Sequence, residues 1–201
     1  MILTYSHFLL AGSDKKDIKI STVLDTVQPN SEVYIVNASS EIIGKREVLS
    51  SILSNFGNYK NCFTIFSKIV PVKGDIENYW YFELRFGFFR YWTVVKKDVS
   101  NKLKYPMVIK AVQVHDQKIN DNVRDLENRF FSFEDNDFMI TFIIAENSND
   151  TTALQTIIQA KPTAPIPKFL FNFAMKILVP RIFSDIQNYI NKTELSANKL
   201  R

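Results

Sequence analysis

The feature that most constrains the fold is one long helical segment at the end of a chain that otherwise has strand patterns. Residues 164–190, APIPKFLFNFAMKILVPRIFSDIQNYI, carry apolar side chains at the 3.6-residue spacing of a helix, which predicts a helix from Pro167 to Asn191. Within this segment, the longest charge-free run lies between Lys168 and Lys176. Because a transmembrane helix needs roughly 20 apolar residues, we expect this segment to cover a sheet and not to cross a membrane.

Strand patterns fill most of the sequence before this helix. Alternation of apolar and polar residues predicts strands over residues 17–26 and 32–43. Residues 45–57 then change to helical spacing, with Gly57 where a helix C-cap would be. The later strand-like stretches are residues 62–72, an aromatic-rich run over 78–97, 106–115, 123–134, 138–146 and 152–160.

This order of elements predicts the fold class. Two strands, a short helical region, a strand meander and one long helix give an α+β fold. A long, curved antiparallel sheet has an apolar face to cover, and only one helix is long enough to cover it. A curved sheet wrapped around one helix seldom packs solid, so we also expect a cavity between the sheet and the helix.

Composition narrows the class of protein further. With 201 residues, 46% of them hydrophobic, the chain can bury the core of a single domain, which we place at residues 1–192 with a polar tail at 193–201. The net charge of +4 is mild, and basic residues alternate with acidic ones. Nucleic acid is therefore not expected as a partner. The N-terminal stretch lacks the basic region and long apolar run of a secretory signal, so we expect a cytoplasmic location.

Side chains that could carry catalysis or bind metal form no motif. The single cysteine, Cys62, permits no internal disulfide and is too few thiols for a zinc site. His7 and His115 have no spacing typical of nucleophilic catalysis. The 5 glycines form no phosphate-binding pattern, and the carboxylates of residues 125–137 lack calcium-loop spacing. No metal and no cofactor are expected.

The strand over residues 78–86 carries the two charges that are hardest to place. Trp80, Phe82, Leu84 and Phe86 share one parity, whereas Tyr79, Tyr81, Glu83 and Arg85 share the other. On one interpretation Glu83 and Arg85 lie on the solvent face as a weak pair. On the other, one of them lies inside as a polar anchor for a ligand, which would require a partner for its charge.

Four stretches of the sequence, in order, carry a likeness to a known family. The first two are LLAGSDKKDIKI and KREVLSSILSNFGNYKNC, and the last two are ENYWYFELRFGFFRYWTVV and ALQTIIQAKPTAPIPKFLFNF. In turn they resemble the opening strand, the first helical region, a strand pair, and the last strand with a Pro-containing loop and the long helix of the START domain. This domain is the lipid-transfer branch of the helix-grip superfamily, which also contains Bet v 1-like and polyketide-cyclase-like proteins. The likeness covers residues 8–192 and departs from the family pattern at Asn55, Cys62 and Tyr91.

The resemblance implies a mostly apolar pocket between the sheet and the C-terminal helix. That pocket would hold one lipid or other hydrophobic molecule, in a monomeric, non-enzymatic carrier or sensor that contacts a membrane surface transiently. Pro180 and the loop over residues 161–167 would let the helix act as the gate. Strand parity, helix spacing and the family pattern together give the expected ligand-binding residues: Trp80, Phe82, Leu84, Phe86, Arg124, Phe169, Phe173 and Ile177.

Two other functions on the same fold stay open at this point. A cyclase or aromatase needs positioned acid–base or oxyanion groups in the pocket. The residues available for that chemistry are Tyr79, Glu83, Arg85 and Arg124, and Arg124 is equally compatible with a surface position. A ubiquinone-binding or chaperone-like protein would need no such groups, so the sequence does not separate it from a lipid carrier.

Overall fold

A computed structural model gives the arrangement of these elements. It describes residues 19–28, 31–72, 78–86, 89–100, 106–114, 123, 131–132, 138–146, 150–161 and 168–199. In these ranges the chain forms one sheet of 9 strands with helices packed on one of its faces. The expected α+β architecture, an antiparallel sheet with a long C-terminal helix, is confirmed.

The helices and strands follow the sequence patterns closely. The strands are β1 (Lys19–Gln28), β2 (Ser31–Ile43), β3 (Phe66–Pro71), β4 (Tyr79–Phe86), β5 (Phe89–Ser100), β6 (Met107–Gln113), β7 (Phe131–Ser132), β8 (Met139–Glu146) and β9 (Thr151–Ala160). The helices are α1 (Arg46–Ser54), α2 (Tyr59–Cys62) and α3 (Lys168–Lys199), with a 3₁₀ turn at Phe56–Asn58. Apart from Val123 and β7, the strand predicted over residues 123–134 lies outside the described residues.

The end of the last helix differs from the prediction. Helix α3 continues through residues 193–199, which the polar composition assigned to a tail. A helix satisfies its own backbone hydrogen bonds, so polar residues can extend it without any apolar surface to cover. The Thr193 hydroxyl also donates a hydrogen bond to the carbonyl of Tyr189 at 2.9 Å.

The strand order is β1-β2-β9-β8-β6-β5-β4-β3, and every pair along this path is antiparallel. Strand β7 lies off the path and pairs in parallel with β5. The register fixes which side chains share a face. One row on the inner face runs across five strands, through Ala38, Thr156, Phe142, Ile109 and Val99.

Apolar clusters lie on both faces of the sheet. The main core fills the inner face, where Val36, Ile109 and Ile144 have no solvent exposure, and the three helices pack against it. A smaller cluster lies on the outer face of β4 and β5 and joins Tyr81 and Val94 to Val72 and Val123. The β3–β5 part of the sheet is therefore covered on both sides.

Candidate functional site

One end of the interior is filled by aromatic rings. The segment from Phe56 to Phe66 and strand β4 supply a close-packed group in which Phe66 and Phe82 have ring centroids 5.1 Å apart. Tyr59 lies 6.0 Å from Phe82 and 6.3 Å from Phe142, measured between ring centroids. Since these rings fill the space over β3, β4 and β8, helix α3 covers the remaining side of the sheet, beside β1 and β2.

Three of the predicted ligand-binding residues face this interior. Phe82 is completely buried in the main core, and Trp80 and Leu84 are partly buried and pack against it. The side chain of Phe86 and the whole of Arg124 lie outside the described residues. The parity prediction for β4 is therefore correct where it can be observed, while contact with a ligand remains a prediction.

The prediction that Phe169, Phe173 and Ile177 of α3 face the interior is wrong. Phe169, Phe173 and Ile177 are 69%, 61% and 46% exposed, and Leu170 beside them is 47% exposed. The side chains that α3 buries are Phe171, Val179, Ile182, Phe183, Ile186 and Ile190. Both sets have helical spacing, so periodicity alone cannot decide which apolar face turns inward. As ligand contacts, Phe169, Phe173 and Ile177 stay predictions.

The second half of α3, after Pro180, is bonded to two turns of the sheet. The Asp185 carboxylate accepts hydrogen bonds from the backbone N–H and the hydroxyl of Thr64, at 2.8 and 2.7 Å. The Gln187 amide accepts from the N–H of Ile43 and donates to its carbonyl, both at 2.8 Å. These contacts join residues more than 100 positions apart in the chain, which no local pattern could have revealed.

Close backbone approach holds the same half of the helix at the end of β2. Gly44 has φ of +142°, a conformation that L side chains rarely adopt. A Cβ atom at this position would lie 3.1 Å from Ile190. Glycine at position 44 therefore lets the chain turn directly beneath the helix.

Among the described residues, the first half of α3 has fewer side-chain bonds to the sheet than the second half. Phe171 stacks on Tyr34 of β2, with ring centroids 4.0 Å apart and planes inclined by 24°. Its neighbour Asn172 has a buried side-chain oxygen, Oδ1, without a hydrogen-bond partner. Pro180 separates the two halves and, lacking an N–H, cannot donate the helical hydrogen bond of its position. The helix is nevertheless continuous from Lys168 to Lys199.

Neither interpretation of Glu83 and Arg85 describes Glu83 fully. Glu83 lies on the outer face, as its parity predicts, but is only 4% exposed and accepts a hydrogen bond from the Ser67 hydroxyl. The outer apolar cluster beside it, which includes Tyr79, hides it from solvent. Arg85 is exposed. The second cluster, formed by residues distant in sequence, is what the strand pattern could not show.

Two titratable side chains, Cys62 and Tyr59, are buried beneath the second half of α3. Burial, and secondarily the negative charge of Asp185, raise the pKa of the Cys62 thiol to about 12. Burial likewise raises the pKa of Tyr59 well above its ordinary value, and the Tyr59 hydroxyl donates to the carbonyl of Leu53. Since the thiolate is the reactive form, Cys62 has no nucleophilic character at neutral pH.

A groove of about 760 Å³ lies on the opposite face of the sheet. It is lined by outward-facing residues of β2, β8 and β9, among them Ser39, Ile143 and Ala153. This groove is not the cavity expected between the sheet and α3, which remains a prediction. The described part of the chain contains no group of three or more acidic, His or Cys side chains placed to hold a metal ion. Among its helices, none combines the length and apolarity needed to span a membrane.

Comparisons of sequence and of structure give different results. Neither the protein-family models nor the curated proteins contain a match to this sequence. Among solved structures, human STARD10 is similar at 12% identity with a TM-score of 0.69, covering 97% of this chain and 76% of that protein. A STAR-related lipid transfer protein from Xanthomonas axonopodis is similar at 11% identity with a TM-score of 0.67, covering 93% of this chain and 98% of the other.

An enzyme is also among the similar structures. The Zhui aromatase/cyclase from Streptomyces sp. R1128 aligns at 10% identity with a TM-score of 0.54, over 84% of this chain and 96% of that one. At such identities the likeness shows the fold alone. The fold is the START-type helix-grip fold that the sequence resemblance implied.

Proposed function

We propose that this chain, with its START-type helix-grip fold, binds a lipid or another hydrophobic molecule between the inner face of the sheet and the first half of α3. We further propose that it transfers or senses that molecule as a non-enzymatic, monomeric protein. The observation that carries the proposal is the uneven attachment of α3. The half after Pro180 is bonded to the sheet, whereas the half before it exposes four large apolar side chains.

The exposed side chains suit a membrane surface. Phe169, Leu170, Phe173 and Ile177 form one face of the first half of α3, here called the outer stripe. A contiguous apolar face in water is typical of a contact surface. Lys176, exposed beside this stripe, suits the anionic headgroups of a membrane. The stripe is therefore proposed to lie against the membrane during lipid exchange.

The same asymmetry supports a gate at Pro180. Opening the first half of α3 separates Phe171 from Tyr34 but leaves the bonds of Asp185 and Gln187 in place. A lipid that enters beside the apolar inner face gains about 25 cal/mol for each Å² of apolar surface that it buries. A few hundred Å² is then enough to retain it without any contact to a charged group.

Two of the similar solved structures are described with different functions. The Xanthomonas axonopodis structure is described as a lipid transfer protein, and the Streptomyces structure as an aromatase/cyclase. For an enzymatic function, the sequence offered Tyr79, Glu83, Arg85 and Arg124. The first three lie on the outer face of β4, away from a molecule in the interior, and Arg124 lies outside the described residues. A non-enzymatic role in the cytoplasm remains the proposal.

The test combines ligand capture with a reversible restraint on the gate. Native mass spectrometry of the purified protein, after incubation with a total lipid extract, should detect one bound lipid per chain. In a Cys62→Ala background, Tyr34→Cys and Phe171→Cys place two thiols where the stacked rings lie. Joining them with a cleavable bismaleimide should slow lipid transfer between vesicles at least about tenfold, while cleavage of the linker restores the rate.

The matched control is the same double-cysteine protein before cross-linking, which removes the effect of losing the two rings. No lipid captured from the extract would overturn the proposal that the chain binds lipids. Capture with an unchanged transfer rate in the cross-linked protein would overturn the first half of α3 as the gate.

A further inference from the structure

Two buried side-chain oxygens in the described interior have no hydrogen-bond partner. They are Oγ1 of Thr156, on strand β9, and Oδ1 of Asn172, on the first half of α3. Buried polar atoms in folded proteins are nearly always hydrogen-bonded, because leaving one unpaired forfeits its interaction with water. Each of these two oxygens therefore needs an explanation.

Thr156 occupies an inner-face position in an otherwise apolar row. Its direct neighbours across the sheet are Ala38 on β2 and Phe142 on β8, and neither side chain can form a hydrogen bond. Thr156 is only 1% exposed. In sequence the signal is a hydroxyl at the inward parity of β9, between Leu154 and Ile158.

Asn172 lies over the same strip of the sheet, nearer to the end of β9. Its neighbour Phe171 stacks on Tyr34, and Tyr34 pairs with Ala160. Ala160 follows Thr156 by four residues, a separation of roughly 13 Å along a strand. The two unpaired oxygens therefore belong to one elongated region, bounded by β2, β9 and the movable half of α3.

Another hydroxyl of the same strand shows that pairing is possible in this fold. Thr152, on the same face of β9, donates a hydrogen bond to the carbonyl of Gly44 at 2.8 Å. Thr152 is as buried as Thr156, at 1% exposure. The difference is that Thr152 lies beneath the bonded half of α3, where a backbone carbonyl reaches it.

We propose that Thr156 and Asn172 are the polar contacts for the bound molecule, and that this molecule is a neutral lipid whose polar end donates a hydrogen bond, such as a hydroxyl. This inference rests on the proposed function. Asn172 Oδ1 accepts hydrogen bonds, and the Thr156 hydroxyl can both accept and donate. A neutral hydroxyl therefore satisfies either side chain without bringing a charge into the interior, and because the two oxygens lie roughly 13 Å apart, one hydroxyl binds to only one of them at a time.

The charges of the inner face argue against an anionic lipid. Among the inner-face strand residues whose side chains the structure describes, Lys97 alone is charged. Its ammonium donates to the carbonyl of Ser54 at 3.2 Å, at the C-terminal end of α1, and lies 5.7 Å from the ring centre of Phe56. Lys97 is on β5, three strands away from Thr156, so a carboxylate or phosphate beside Thr156 would have no countercharge there.

The test uses three probes that share one alkyl chain: hexadecan-1-ol, its methyl ether and palmitate. The wild-type protein should bind the alcohol at least about fivefold more tightly than the ether or the carboxylate, as expected for one neutral hydrogen bond. Thr156→Val, which keeps the shape of the side chain, should remove most of this preference. Asn172→Leu should remove the smaller part of the preference that remains, from molecules bound with their hydroxyl at that end, and neither substitution should weaken binding of the ether.

Thr152→Val is the matched control, because it removes a buried hydroxyl of the same strand that already has a partner. It should lower the urea midpoint of unfolding and leave the preference for the alcohol unchanged. Thr156→Val should keep or raise the midpoint of the ligand-free protein, since it removes an unsatisfied hydroxyl. In Thr152→Val the stability should fall and the preference stay, whereas in Thr156→Val the preference should fall and the stability stay or rise. This contrast distinguishes ligand recognition from a structural role.

The outcomes separate this inference from the function on which it rests. If the wild-type protein binds no probe and captures no lipid from an extract, both proposals fall. If it binds all three probes equally, or prefers palmitate, the neutral-donor inference alone is overturned. The assignment to Thr156 and Asn172 is equally overturned if both variants keep the wild-type preference for the alcohol.

Discussion

The two halves of α3 place their large apolar side chains differently. Before Pro180, Phe169, Leu170, Phe173 and Ile177 face solvent, while Phe171 and Val179 are buried and Met175 and Leu178 pack against the core. After Pro180, Ile182, Phe183, Ile186 and Ile190 are each at most 3% exposed. The first half thus presents an apolar face outward, and the second half is part of the core.

Polar side chains explain the difference in attachment between the two halves of α3. Asp185 and Gln187 reach backbone groups at the turns before β3 and after β2, so the second half gains directional bonds as well as apolar burial. In the first half, Asn172 is turned inward with its oxygen unpaired. On the proposed function, the second half of α3 stays attached to the sheet, the first half moves, and Pro180 between them is the hinge.

The largest expected difference between the halves is in core packing. Ile186→Ala should lower the free energy of unfolding by about 2–4 kcal/mol, because the fully buried side chain leaves a cavity. Ile177→Ala, the same substitution on the exposed face, should change it by less than about 0.5 kcal/mol. Urea denaturation of both variants measures the difference. Similar losses at the two positions would show that Ile177 is buried in solution and would remove the asymmetry.

Amide hydrogen exchange sharpens the comparison within the wild-type protein. Residues 169–179 should exchange at least about tenfold faster than residues 181–193, since local opening before Pro180 breaks few tertiary contacts. A bound lipid should slow exchange in the first half and leave the second half nearly unchanged. Uniform protection along α3, with or without lipid, would mean that the helix moves as one body.

The smallest expected effect is the pH dependence of stability caused by Cys62, which is buried beneath the second half of α3. An unfolded thiol has a pKa of about 8.5, whereas the Cys62 thiol of the folded protein has a pKa of about 12. Since the folded pKa is raised, the stabilisation is fully present below about pH 8.5 and is lost as pH rises towards 12. Between pH 8 and 9.5, wild-type protein should lose about 1 kcal/mol more stability than Cys62→Ala.

The control for this measurement is the pH dependence of the Cys62→Ala protein itself, which contains the contributions of all other titrating groups. Parallel pH profiles for the two proteins would show that water reaches the thiol in the folded state. The second half of α3 would then be less firmly closed than its contacts indicate.

Much of the fold could be predicted because it is encoded locally. Strand β2 carries Tyr34, Val36, Ala38 and Ile42 on one parity, and α3 repeats apolar residues at helical spacing, so the existence of both elements follows from short stretches of sequence. The parity of β4 correctly placed Phe82 inside, whereas the position of Glu83, which the sequence left open, is on the outer face. The helix end was missed because a polar helix needs no apolar pattern to continue as far as Lys199.

The candidate site was predicted less completely, because its decisive contacts are not local. Phe173 and Ile182 both belong to apolar runs of α3, and only the orientation of the helix on the sheet exposes one and buries the other. Burial of Glu83 likewise depends on an outer cluster that includes Val72 and Val123, from distant parts of the chain.

The sequence by itself determined the elements, their order and the two faces of each strand, because backbone propensity and side-chain period act over a few neighbouring residues. Only the tertiary structure decided which face of α3 turns inward and which half is bonded. It also decided which inner-face hydroxyl is left unpaired, Thr156 and not Thr152. The physical reason is that each of these outcomes depends on a carbonyl, a carboxylate or a ring from a distant segment lying within contact distance. Residues that are neighbours in the sequence do not determine which distant group that is.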